Sequence, residues 1–373
     1  MTVLSSQVTS VLPVALGHDP TASLCPWVQA TRSTADYPSR KAQIAVALLN
    51  GTLTPTSDVV DLMYRCDGLC RCQPLPAQPD PTPYTNLIHD ARAALVSGGF
   101  VPAAEQWTIN WHDHGNVYGR IEFDESLLDR NSPDGAVLYV PGTASLFLDP
   151  AAVAANAQLL RRVFGSVAID PELLDSGYVL RQLGLQAEWE TERDRIRELI
   201  VRGGYQSVVT TTPREAMGLA TALADQAVVV SSLLDSVQPW MTSMRTHLRP
   251  PDSRISFALQ PTEEMAVERE SAIILLEHLA HWSGREIVTL APEATSPAAI
   301  ERPILPSTEQ LSRRFAETRA DELLEIHDGE KLVVLTVDPF SKRALTDQLG
   351  ARARVANVAT FLCEHLEGER TDA

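Results

Sequence analysis

The sequence predicts an α/β protein with parallel sheets behind a helical, turn-rich N-terminal third. Three observations carry that reading. From Gly135 onward, short apolar runs alternate with amphipathic stretches at helical spacing, the texture of β–α–β units. Two of those runs end in Thr-x-x-Pro, at Thr210-Thr211-Thr212-Pro213 and Thr336-Val337-Asp338-Pro339, each after a long helical pattern and before another, which marks an internal duplication. Ahead of Gly135 turn formers dominate, and five prolines fall within residues 74–83, a stretch that neither helix nor inner strand accommodates.

Residues 40–49 space their apolar side chains at helical intervals and stop at Asn50-Gly51, a glycine C-terminal signal. Residues 57–64 repeat the pattern with Val59, Val60, Leu62 and Met63, and lead into Cys66-Asp67-Gly68-Leu69-Cys70-Arg71-Cys72. Beyond the proline connector, residues 84–97 form a third helix. In the first α/β copy, strands are expected at 136–140, 167–169 and 207–209, with helices at 150–162, 185–201 and 214–223. The second copy places strands at 254–258, 286–290 and 331–335, helices at 264–282 and 308–326, and a further helix after Pro339. Residues 355–366 read as a C-terminal helical stretch, with Cys363 as a buried apolar residue. The division that follows is 1–125, 132–230 and 250–368.

A chain of 373 residues is natural for two or three domains, and 44% hydrophobic with 21% charged residues is ordinary for a globular protein. Its formal net charge of -17 opposes the phosphate backbone of nucleic acids. No apolar run approaches the roughly 18 residues that cross a bilayer. Residues 1–17 hold no basic residue ahead of their apolar stretch, so they make a poor signal peptide. Five cysteines are too few and odd in number for a disulfide framework, and the expected compartment is the reducing cytoplasm.

Three of those cysteines stand within seven residues, a metal-loop density. Other candidates are weaker. His112-Asp113-His114 suits a strand or loop carrying surface histidines, with a metal pair as the alternative. His278 and His281, beside Glu277, read as the polar edge of an amphipathic helix. Glu188 to Glu198, alternating with Arg193, Arg195 and Arg197, reads as a solvated helix face with i,i+4 pairs. The chain holds no P-loop, no G-x-G-x-x-G after a strand, no G-x-S-x-G and no H-E-x-x-H.

Three segments occur together in a telling order: Pro38-Ser39-Arg40-Lys41-Ala42-Gln43-Ile44, then Ala47-Leu48-Leu49-Asn50-Gly51, then Gly115-Asn116-Val117-Tyr118-Gly119. In that order and spacing the chain resembles the iron-sulfur subunits of glycolate oxidase and heterodisulfide reductase. The resemblance implies a two-cluster, ferredoxin-like helical module followed by two cysteine-rich (CCG) α/β domains. Where those domains carry cysteines, this chain has Asp175-Ser176-Gly177, Thr212-Pro213-Arg214-Glu215 and Asp338-Pro339-Phe340-Ser341, and the region around Glu293-Ala294-Thr295 has none. Thr, Ser and Asp supply no thiolate, so the CCG units are expected to keep the fold without its cofactor.

In the ferredoxin-like module, a run ending at Cys25-Pro26 would need cysteines at Ala15, His18 and Thr21. The fourth cysteine of one run ligates the other run's cluster, so the resemblance groups Cys25 with Cys66, Cys70 and Cys72. Leu69 takes the usual middle position, with Cys70 one residue late, and the Leu75-Pro76 region supplies no fourth thiol for the other cluster. Three readings of the four thiols stay open: one [4Fe-4S] cluster, a Zn(Cys)4 site, or free thiols in a module without its metal. The first implies a non-catalytic electron-transfer subunit whose partner is a flavin-dependent 2-hydroxyacid dehydrogenase or another electron carrier. The alternatives are a cofactor-free scaffold protein, and an enzyme with a new polar site at Asp175, Ser176 and Asp338.

Overall fold

The computed structural model describes residues 25–66, 84–100, 105–121, 137–244, 249, 255–260, 269–284, 288–289, 306–326 and 331–366. The proline connector, Cys70, Cys72, the Glu293 region and the first 24 residues lie outside them. Helices α1 (Pro26–Thr31), α2 (Pro38–Leu49), α3 (Ser57–Tyr64), α4 (Tyr84–Ser97) and α5 (Glu105–His114) make up the N-terminal part. Proline opens α1 and α2, where its missing N–H costs nothing. The Thr56 hydroxyl caps α3 by accepting the Val59 N–H at 3.4 Å. Ala42 and Ala45 let α2 lie close against Leu87, Ile88, Ala91 and Leu95 of α4, with Leu62, Met63 and Tyr64 of α3 closing the cluster. His112 and His114 belong to the last turn of α5, not to a strand or loop.

The first α/β unit contains β1 (Val137–Val140), α6 (Thr143–Leu148), α7 (Pro150–Phe164), β2 (Val167–Ala168), α8 (Tyr178–Leu183), α9 (Gln186–Gly203), β3 (Ser207–Thr210), α10 (Pro213–Ala222), β4 (Val229–Ser232) and α11 (Leu233–Met244). The second contains β5 (Ile255–Leu259), α12 (Arg269–Ser283), β6 (Val288–Thr289), α13 (Pro306–Ile326), β7 (Lys331–Thr336), α14 (Pro339–Leu349), β8 (Ala353–Asn357) and α15 (Val358–His365). Every described strand pair is parallel, and the orders β2-β1-β3-β4 and β6-β5-β7-β8 are the same permutation, so the two units share one topology. Both Thr-x-x-Pro motifs are strand-to-helix junctions. Thr212 caps α10 through the Glu215 N–H, and Asp338 caps α14 through the Ser341 N–H at 2.6 Å, each worth about 1 kcal/mol. The C-terminal expectation needs correction: residues 355–357 belong to β8, where β-branched Val355 pairs with Val334, and the helix begins only at Val358.

One hydrophobic core runs through both units, from Tyr139, Val153 and Leu160 to Phe257, Leu335 and Phe361. Lys342 of α14 adds a 2.7 Å ion pair to Asp149, the N-cap of α7. The N-terminal helices dock on the first unit through polar anchors: the Tyr64 hydroxyl donates to Leu183 O at 2.8 Å, and Arg92 Nη1 donates to Gln182 O at 2.8 Å. Gly184 makes this approach possible. At φ +82° a Cβ there would stand 2.6 Å from the Arg92 backbone carbon.

His89 is buried in the same seam, edge-on to Tyr178 at 5.8 Å, and neither ring nitrogen has a hydrogen-bond partner. Burial, then Arg92 and Arg181, push its pKa well below the usual 6.5. A group with a lowered folded pKa contributes stability above its unfolded pKa and loses it as pH falls. Below pH 6.5 the unfolded chain takes up a proton that the fold excludes, a slope of up to about 1.4 kcal/mol per pH unit. His89→Leu should remove that slope, so that the variant is more stable than the parent at pH 5 in urea denaturation. A parent whose midpoint is the same at pH 5 and pH 7 would refute this.

Candidate functional site

Lys41 is the centre of the thiol region. It lies on the buried face of α2 with Pro38, Ala42 and Ala45, and its side chain is 3% exposed. Its ammonium stands 3.1 Å from Asp36 Oδ1 and donates to Arg65 O at 3.1 Å. Asp36 is wholly buried; it accepts the Thr31 hydroxyl at 2.7 Å and lies 3.6 Å from Arg65. Burial works against the Lys41 charge, yet Cys25, Cys66 and Asp36 outweigh it and hold the pKa above the ordinary 10.5. Both described thiols of the predicted set therefore lie within electrostatic reach of one buried ammonium.

Separate elements bring the two thiols there. Cys25 precedes Pro26 as the N-cap of α1 and is buried with Trp27 against Phe315 and Ala316 of α13. Cys66, half-buried, follows α3, and its carbonyl accepts a hydrogen bond from Arg92 Nη2. A thiolate is the donor that an iron-sulfur centre needs, and of the four predicted thiols these two are described, each within electrostatic reach of an ammonium that Asp36 already pairs at 3.1 Å. Cys70 and Cys72 lie outside the described residues, and no group of three His, Cys, Asp or Glu gathers among the residues that are described.

Asp175 and Ser176 in the first unit and Asp338 in the second lie beyond the carboxyl ends of the strands, the side on which open α/β sheets usually bind ligands. In the first unit Asp175 is buried; Oδ2 accepts the Thr143 N–H at 3.0 Å and the Thr143 hydroxyl, and Oδ1 accepts the Gly177 N–H at 2.8 Å. Ser176 N donates to Glu215 Oε2 at 2.9 Å. Beneath them Asn156 donates to the Tyr139 hydroxyl, Tyr139 to Thr211, and Thr211 to Pro141 O at 2.7 Å, which stitches β1 to β3. Burial pushes the Tyr139 pKa up to about 12, so the phenol stays a donor. Gly218 closes the knot: a Cβ there would lie 2.7 Å from Ser176 Oγ.

The second unit is built the same way. Gln260, after β5, donates its N–H to Leu335 O at 2.8 Å and accepts from the buried Arg319 at 2.7 Å, and Asp338 donates its N–H to Thr336 at 3.2 Å. Asp175, Ser176 and Asp338 are thus brought to strand ends, each within its own unit. Most polar side chains there are paired with one another, while Asn156 Oδ1, Arg319 Nη2 and Ser341 Oγ are buried without a hydrogen-bond partner among the described residues.

The remaining candidates divide. On α12, His278 is buried while Glu277 and His281 are exposed, so the pair does not form one polar edge. Cys363 is half-buried, its thiol pushed up to about 11 by burial. On α9 the ion pairs include Glu192–Arg195 and Asp194–Arg197 at i,i+3 and Arg193–Asp194 between neighbours, and Glu192 is buried. Lys41, Asp36, Arg92 and Thr143 escaped the sequence reading. Lys41 and Arg92 left a signal, a basic residue inside an apolar helical stripe.

Neither a protein-family model nor a curated protein matches the chain. Among solved structures it is similar to glutamate racemase isoform RacE1 from Bacillus anthracis, at 10% identity over 61% of this chain and 78% of that one. The TM-score of 0.28 is too low for that likeness to carry an argument.

Proposed function

We propose that this chain is a non-catalytic electron-transfer subunit of a redox complex, holding one [4Fe-4S] cluster on Cys25, Cys66, Cys70 and Cys72. The observation that supports it is that both described thiols, Cys25 and Cys66, lie within electrostatic reach of the buried Lys41. On this reading residues 1–125 are the ferredoxin-like helical module, and the two sheet units are CCG-type domains that serve as a docking platform. The partner is a flavin-dependent 2-hydroxyacid dehydrogenase or another electron carrier, as the family resemblance implies. The cluster, when bound, supplies a one-electron couple. The chain's own residues do the rest: Lys41 offsets thiolate charge, Asp36 and Arg65 fix Lys41, Trp27 and Phe315 keep water from Cys25, and Arg92 fixes Cys66 through its carbonyl. Among the described residues no helix is long and apolar enough to cross a membrane.

The second reading, a cofactor-free scaffold, draws on the side-chain hydrogen bonds that tie Asp175 to Thr143, Ser176 to Glu215 and Gln260 to Arg319 at the two strand-end sites. Anaerobic purification with iron, acid-labile sulfide and zinc analysis separates the readings. The relay predicts about four irons per chain and a broad visible absorbance, both lost in Cys66→Ser and Cys25→Ser. Iron-free, colourless protein would favour the scaffold, and one zinc per chain a Zn(Cys)4 site.

A further inference from the structure

A cavity of about 360 Å³ opens beside the first strand-end knot, between the turn at Gly115 to Gly119 and the carboxyl end of the first sheet. That volume is in the range of small-molecule sites. Ile121, Leu146, Pro171 and Leu174 give it an apolar wall. Its charged groups sort by what they already hold. Asp175 is engaged by Thr143 and Gly177, Glu192 by the Arg195 guanidinium, and Glu172 by Arg202. Arg195 spends itself on Glu192 and on the Glu172 carbonyl. The Asn116 amide is used inside its own turn, donating to Gly119 O at 2.9 Å and accepting the Tyr118 N–H at 2.8 Å.

Arg120 is different. It lines the same cavity, is exposed, and makes no ion pair or hydrogen bond among the described residues. His114 stands with it in the lining. Each acidic side chain of the wall already accepts hydrogen bonds or an ion pair, so Arg120 is the charged group of the lining whose donors are open among the described residues.

We propose that this cavity binds a small organic carboxylate, with the carboxyl group on the Arg120 guanidinium and the hydrocarbon body against Ile121, Leu146, Pro171 and Leu174. A guanidinium presents two parallel N–H donors to a carboxylate, while an apolar wall rewards an organic anion over an inorganic one. The proposal goes beyond electron transfer, since it involves none of the cysteines.

Calorimetric titration of the full chain with benzoate, benzamide and inorganic phosphate tests it. Benzoate should bind with a Kd of about 1 mM or tighter, and benzamide and phosphate at least about tenfold more weakly. Arg120→Gln should weaken benzoate about tenfold, while the melting temperature of this surface variant stays that of the parent. Equal binding of benzoate and benzamide, equal binding of phosphate, benzoate binding indifferent to Arg120→Gln, or no binding of benzoate at about 10 mM would each overturn the proposal.

Discussion

Asp36→Ala is expected to lower the unfolding free energy by about 3–5 kcal/mol, the usual cost of breaking a buried ion pair from one side. Asp36 is fully buried and is the carboxylate partner of Lys41, which has almost no contact with water. Removing it leaves an ammonium where solvation is absent. Adding Lys41→Met should recover much of the loss, because the double variant buries no charge at this place. Urea denaturation of the four proteins measures this; a single variant costing less than about 1 kcal/mol, or a double variant no better than Asp36→Ala, would refute it. The same Lys41 sets an alkaline limit. Its folded pKa is raised, so its contribution is complete below the ordinary 10.5 and is lost as pH rises through the higher folded value. Tyr64 and Tyr139, pushed up to about 12 by burial, lose theirs between pH 10 and that value. Stability should therefore fall steeply above pH 10, less so in Lys41→Met.

Arg92→Leu is the second large effect. Arg92 is fully buried; Nε and Nη2 donate to Met63 O at 3.1 and 2.8 Å, Nη1 to Gln182 O, and Nη2 also to Cys66 O. Its guanidinium carbon lies 4.9 Å from the centre of the Tyr64 ring. Leucine leaves three carbonyls without this donor, at about 1–3 kcal/mol each, partly offset because no guanidinium is then buried. A net loss of about 3 kcal/mol is expected. The local consequence is more specific. With its carbonyl released, Cys66 should react with iodoacetamide several-fold faster in native protein, read by mass spectrometry at that residue. Cys363, whose thiol burial pushes up to about 11, should stay slow. An unchanged Cys66 rate would show that Arg92 does not hold it.

Much of the fold could be read because it rests on local chemistry. Ser57–Tyr64 and Tyr84–Ser97 stand at the expected bounds, since apolar spacing defines each helix. Thr212-Pro213 and Asp338-Pro339 marked real junctions because a capping side chain followed by proline favours one backbone path. The strands β4 and β8 were missed for different reasons. At β4 the sequence does carry an apolar run, Ala227-Val228-Val229-Val230, which the expected strands omit, whereas in β8 Arg354 and Asn357 interrupt any such run and pairing with β7 makes the strand. At the thiol region, cysteine density pointed to Cys66 and the family resemblance to Cys25, but Lys41, within electrostatic reach of both, depends on a chain crossing that no local pattern encodes. Likewise the partnership of Thr143 with Asp175 joins the ends of two strands 32 residues apart.

Cys25 caps the first described helix, yet the surface that covers it, Phe315 and Ala316, is about 290 residues downstream. A ribosome adding about 5–20 residues per second reaches that surface roughly a quarter of a minute to a minute after making Cys25. Cys66 emerges within seconds. During synthesis, then, the Cys25 thiol stays open to water and oxidants until α13 has been made and packed on it. Chains truncated before α13 should carry Cys25 exposed. The burial of Cys25 is thus completed by the last third of the protein.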